Sequence, residues 1–207
     1  MGSRNSKPQR RSAEETREHV LDVAHQLFYW TGIRATGVDR VAADAGIAPT
    51  ALYRLFPSKD ALVAAYVERA DRRYRAWFDE VTQADGRSPA ERIVGLFDAL
   101  SEQVKPDRCR GCPFAMALTE FPDAELEAHK GAVRQKKWVR SRIRRLVSEL
   151  AAEGSRKDLD QALLADHLSL LFEGVYATVP ALGAEGPAKR ARQLAAALVV
   201  GAGAKAK

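Results

Sequence analysis

Two cysteines, Cys109 and Cys112, bracket Arg110 and Gly111, and Pro113 follows them. Proline opens helices well, so Cys112 falls at a predicted N-cap, where the positive end of the helix dipole faces the thiol. That setting makes Cys109 and Cys112 candidates for a redox switch. A zinc site would need two more ligands, and His129 does not stand at a finger-like spacing, so no metal is expected. A second group is aromatic: Phe97, Phe114, Phe121, Trp138, Phe172 and Tyr176 can line a pocket for an apolar small molecule, with His167 and Glu173 as polar contacts. A third is the basic run Arg134, Lys136, Lys137, Arg140, Arg142, Arg144 and Arg145, which reads as a solvated helix face paired with acids elsewhere. The fourth is Thr50, Tyr53 and Arg54, a hydroxyl, a phenol and a guanidinium on one face of a short helix. Such a face suits a DNA major groove, with Arg54 near base edges and Tyr53 near phosphate. There is no glycine-rich phosphate loop, no nucleophile elbow, no HExxH and no framed carboxylate pair, so neither an enzyme nor a cofactor is expected.

The elements that position the fourth group lie within residues 36–60, TGVDRVAADAGIAPTALYRLFPSKD. Thr36 is a predicted N-cap. Val38, Val41, Ala42 and Ala45 recur at helical spacing, and Gly46 supplies the left-handed backbone that stops the helix. Pro49 opens a second helix in which Leu52 and Phe56 share the apolar face. Pro57 and Ser58 end it, and Ser58 caps a third. Two short helices, a glycine corner and small alanines at the crossing make a helix-turn-helix.

The residues Thr36, Val41-Ala42, Ala45-Gly46-Ile47, Leu52-Tyr53, Phe56, Lys59 and Leu62, above all the run LYRLFPSKDAL, resemble the DNA-binding domain of the TetR family of transcriptional regulators. The resemblance covers about residues 14–70 and continues more weakly beyond. It implies phosphate contacts for Tyr53 and Lys59 and groove positions for Pro49, Thr50 and Arg54, and Thr36 is grouped with these DNA-binding residues. It also implies a C-terminal domain that binds a small effector, usually in a repressor. Leu55 stands where the family often has His, Ala48 where a capping Ser is common, and Pro49 where a basic residue is frequent. These departures bear on which bases are read. The competing interpretation is a helical small-molecule-binding or scaffolding protein that no longer reads DNA specifically.

The whole chain is expected to be all-α. Its 207 residues carry a net charge of +6 and a pI near 9.5, which suits a nucleic-acid partner. Residues 1–12, with Lys7, Arg10 and Arg11, read as a basic flexible arm beside the DNA. Residues 13–60 read as the DNA-binding domain and 61–207 as an effector-binding and dimerisation domain, with a connector helix over about 58–81. A first helix spans 13–31, with Val20, Ala24, Leu27 and Phe28 facing inward and His19 and His25 at its surface or boundary. Further helices are predicted over 89–104, 114–121, 123–153, 158–179 and 187–200, with 180–187 a loop. The last two long helices have wide apolar faces with small residues, Gly174 and Ala195-Ala196-Ala197. Pairing them across a two-fold axis would make a homodimer suited to a palindromic operator in double-stranded DNA. No apolar run approaches the ~20 residues that span a bilayer, no signal peptide is visible, and the two cysteines make no disulfide framework. A cytoplasmic protein without a membrane partner is expected.

Overall fold

The computed structural model describes residues 12–153 and 159–201, and among these every regular element is helical. Lys7, Arg10 and Arg11 of the predicted arm lie outside the described residues. Contacts divide the chain into two compact units, Met1–Tyr66 and Val67–Lys207.

In the first unit, α1 (Ala13–Thr31) starts at a complete capping box: the Ser12 hydroxyl accepts from the Glu15 amide, and the Ser12 amide donates to the Glu15 carboxylate. Ser12 is therefore part of the helix boundary and not of an arm. The inward face is Val20, Leu21, Ala24, Phe28 and Tyr29. Leu21 replaces the predicted Leu27, which is only half-buried. α2 (Val38–Asp44) and α3 (Pro49–Leu55) follow, and α4 (Lys59–Val81) begins with Ser58 accepting from the Ala61 amide. Val41, Leu52, Phe56, Leu62 and Val63 are buried here, and Tyr66 meets Phe28 edge-on with ring centroids 5.5 Å apart.

The second unit holds the remainder of α4, then α5 (Pro89–Gln103), α6 (Pro113–Glu120), α7 (Glu127–Glu153), α8 (Gln161–Leu182) and α9 (Ala191–Gly201). α8 packs on α7 and α9, α5 on α7 and α9, and α6 on α7. α5 starts at a second capping box, with Ser88 at the N-cap and Glu91 at N3. Its hydrogen bonds to the Ser88 amide and hydroxyl hold the Glu91 carboxyl below its ordinary range. Ser88→Ala is expected to cost about 1 kcal/mol, the usual value of such a cap. Urea denaturation is the check, and an unchanged midpoint would mean the cap contributes nothing.

Several helix boundaries differ from the sequence reading. α7 starts at Glu127, not 123, because the Asp123 side chain and carbonyl accept from Glu125 and Leu126 and close a turn there. α8 runs through Pro180 to Leu182, where a loop was predicted. A proline so near the helix end forfeits a single backbone bond, and burial of Val175, Tyr176 and Val179 carries the helix past it. Gly183, at φ 58°, then ends it. Residues 187–190 form a 3-10 turn, so α9 begins only at Ala191. The expectation that no run is long and apolar enough to cross a membrane also fails, since residues Gln161–Glu185 meet that description. The cause is a helix with two apolar faces. One, with Leu164, Leu168 and Phe172, is buried in the unit, and the other carries exposed leucines.

Candidate nucleic-acid interface and ligand cavity

The corner between α2 and α3 is set by local chemistry. Gly46 takes φ 67°, and its amide and that of Ile47 donate to the Ala43 and Ala42 carbonyls, both at 3.0 Å. Ala48 occupies the α3 N-cap without a side-chain bond, and Pro49 sits at the first helical position. Leu52 and Phe56 are buried, which turns Pro49, Thr50, Tyr53 and Arg54 to solvent. Tyr53 keeps 46% of its surface exposed. Lys59 is half-buried, and its Nζ donates to the Arg34 carbonyl at 3.2 Å.

The expected N-cap at Thr36 is a correction. The α2 N-cap is Gly37, and the Thr36 hydroxyl instead donates back to the Gly32 carbonyl at 2.8 Å. With 2% of its surface exposed, Thr36 braces the turn after α1.

Two residues that sequence reasoning missed help seat the motif. His19 Nε2 lies 3.2 Å from the Ala45 carbonyl, a contact that needs the proton on Nε2 and ties α1 to the glycine corner. The Arg17 guanidinium lies over the Phe56 ring at 5.1 Å, close enough for a cation–π contact. Both sit on the partly polar border of α1, where composition gives no signal of a partner.

The second unit contains a cavity of about 530 Å³ walled by α6 and α8. Ala115, Met116, Ala177 and Pro180 give it an apolar lining, and Arg110, Cys112, Thr119, Glu120, Glu173 and Tyr176 supply the polar groups. Of the aromatic residues expected to line a pocket, Tyr176 does so. Phe97, Phe114 and Phe172 are instead packed core, joined with Tyr74 and Phe78 in a network of edge-on and tilted rings. Phe121 is buried at the α6 C-cap. Trp138 lies between the Arg75 and Arg142 guanidiniums and against Phe78. His167 is exposed and is not part of the lining. The aromatic types were right for an apolar interior, in which several of these rings pack on one another. The predicted polar contact Glu173 does line the cavity.

Beside this wall the Lys136 ammonium donates to Glu173 at 2.5 Å and to the Cys112 sulfur at 3.2 Å. Burial alone would lower the Lys136 pKa, but the charges of Cys112 and Glu173 and its hydrogen bonds to both outweigh burial and raise it. Tyr176 donates to Gln103 at 3.3 Å. The neighbouring Tyr74 hydroxyl is buried, and desolvation, reinforced by Tyr176 and Cys112, pushes its pKa well above the ordinary value. Cys112 occupies the α6 N-cap as expected, and both cysteines are free thiols. His129 Nδ1 donates to the Phe121 carbonyl at 2.8 Å, a structural tie between α7 and the end of α6. The basic run on α7 is largely paired with acids: Arg140 with Asp166 and Arg142 with Asp79, both at 2.6 Å, and Arg145 with Glu149 at 2.9 Å.

The exposed α3 face and the helical second unit both have counterparts among known proteins. Residues 20–66 match the family model described as bacterial regulatory proteins, tetR family. Residues 89–195, half of the chain, match that described as tetracyclin repressor-like, C-terminal domain. The chain belongs to the TetR family. It is a DNA-binding transcriptional regulator, as its TetR-family relatives are. The HTH-type transcriptional regulator YjdC of Escherichia coli (strain K12) is 27% identical over 158 residues, covering 76% of this chain and 80% of that protein. The HTH-type transcriptional repressor KstR2 of Mycolicibacterium smegmatis is 29% identical over 156 residues, covering 72% and 71%. Among solved structures, a TetR-family transcriptional regulator from Streptomyces coelicolor superposes with a TM-score of 0.77 at 25% identity, covering 92% of this chain and 95% of that one. A TetR transcriptional regulator from Chloroflexus aurantiacus gives 0.78 at 25% identity, covering 91% and 96%.

Proposed function

We propose that this TetR-family regulator is a homodimeric repressor, acting in the cytoplasm, that leaves a palindromic operator when a small effector fills the α6–α8 cavity. The observation that carries the DNA half of this reading is the seating of α3: Leu52 and Phe56 are buried, and Pro49, Thr50, Tyr53 and Arg54 are left open on one side. Arg54 reads bases, while Tyr53 and Lys59 hold phosphates; Lys59 exchanges the Arg34 carbonyl for a phosphate oxygen on binding.

The effector half rests on the cavity and on α4. Tyr74 and Phe78 of α4 belong to the same ring network as Phe114 of α6 and Phe172 of α8. A ligand that parts α6 from α8 therefore acts on α4, a helix whose first turns belong to the DNA-binding unit. To move a dimer from about 99% competent to about 1%, the effector must favour the released state by about 5.5 kcal/mol.

The test is selection of random duplexes by the purified protein at two salt concentrations, followed by titration of single variants. An enriched palindrome is expected. Tyr53→Ala and Lys59→Ala should weaken binding to all sequences alike, and Lys59→Ala should reduce the salt slope by about one. Arg54→Ala should cost about 1–3 kcal/mol on the preferred sequence and little on others. If Arg54→Ala leaves sequence preference intact, base reading has been assigned to the wrong residue. If nothing is enriched and binding vanishes with salt, the operator reading fails.

A further inference from the structure

We propose that Cys112 is a nucleophile for soft electrophiles, specifically small α,β-unsaturated carbonyl compounds that enter the α6–α8 cavity, so that the effector is held by a covalent bond. This rests on reading the cavity as the effector site. Three features of the wall support it. First, Cys112 lines the cavity and Cys109 does not, so one of the two thiols meets a ligand there. Second, the Lys136 ammonium donates to the Cys112 sulfur at 3.2 Å while anchored on Glu173. A positive hydrogen-bond donor against the sulfur stabilises the negative charge that grows on it during attack, and the α6 N-terminus adds to this. Third, the buried Tyr74 hydroxyl, kept protonated by desolvation, is within electrostatic reach of Cys112.

The cavity's size and its Ala115, Met116, Ala177 and Pro180 surface suit a small organic molecule. With Cys109 off the wall, a carbon electrophile fits better than an oxidant that needs a second thiol. In the step, the Cys112 sulfur bonds to the β-carbon of the enone. The carbon–carbon π pair moves onto the carbonyl as an enolate. Lys136 gives a proton to the α-carbon and regains the one the sulfur lost. One thiol and one enone become one thioether, and nothing is oxidised or reduced.

The experiment uses the full chain and methyl vinyl ketone at neutral pH, with intact mass and peptide mapping followed over time. A single adduct on Cys112 is expected, with Cys109 unmodified on the same timescale. Lys136→Met should slow the adduct by about tenfold or more, the loss of one charge-assisted hydrogen bond. Lys137→Met, which removes an exposed charge beside Lys136 on α7 that does not line the cavity, should not slow it. Equal slowing in both variants would mean that the contact of Lys136 with the sulfur is not the cause, and would overturn the proposal. Equal labelling of the two cysteines, or an unchanged rate in Lys136→Met, would overturn it as well. Operator binding is measured on the same samples. An adduct that leaves DNA binding unchanged would defeat the effector reading of the cavity and leave the reactive thiol standing. Release of the operator by methyl vinyl ketone without an adduct would defeat the covalent mechanism alone.

Discussion

Phe172→Ala is expected to destabilise the C-terminal unit by about 3–5 kcal/mol, the range for deleting a buried phenyl ring. Phe172 is 2% exposed and touches four rings: Tyr176 at 5.9 Å, Phe97 at 6.1 Å, and Tyr74 and Phe78 each at 6.5 Å between centroids. Edge-on pairs of this kind contribute about 0.5–1.5 kcal/mol beyond area burial, which places the loss toward the upper end. The rings come from α4, α5 and α8, and collapse around the vacancy would have to move three helices. The cavity penalty is therefore retained in full. Urea denaturation followed by circular dichroism measures it, with Phe172→Leu expected to cost distinctly less. A loss below about 1 kcal/mol would mean that Phe172 borders a ligand-sized space after all, as its residue type alone had suggested.

That last point marks where sequence reasoning stopped. The DNA-binding motif was legible because its determinants are local. Gly46, Pro49 and Ser58 each act within a few residues, and the apolar spacing of Val41, Leu52 and Phe56 states which faces turn inward. Even there, local rules were ambiguous between neighbours. Thr36 is the better N-cap by type, yet Gly37 takes the position because the threonine hydroxyl is spent on Gly32. The second unit was legible as helices but not as a site. Phe114 and Tyr176 are both apolar-faced aromatics on predicted helices, and only the packing of α6 against α7 decides which is core and which is wall. The bond from Lys136 to Cys112 joins residues 24 apart and that to Glu173 residues 37 apart, beyond any periodicity. Pro180 misled for the same reason, since burial on α8 outweighed one missing backbone bond.

Leu170→Glu is expected to split the proposed homodimer and with it the tight grip on the operator. Leu170 is 71% exposed on α8, and Leu163, one heptad earlier, is 53% exposed. Gly174 continues the same line, four residues on, and Leu194 of α9 is exposed too. Exposed leucines in a row on the most apolar helix of the unit fit a surface covered by a second copy. In an isologous interface each substitution enters twice, and a carboxylate with no cationic partner there costs about 3–5 kcal/mol. The dimer constant should rise by about a hundredfold or more. The folded monomer should be nearly unaffected, because an exposed site tolerates change within about 0.5 kcal/mol. With the heads no longer linked, the second half-site contact loses its effective concentration, and operator affinity should fall by about 10²–10⁴. Sedimentation equilibrium and operator titration on one preparation test both steps. A variant that stays dimeric would move the interface off α8. A variant that becomes monomeric yet binds the operator undiminished would mean that one DNA-binding unit suffices, and the palindrome would lose its physical basis.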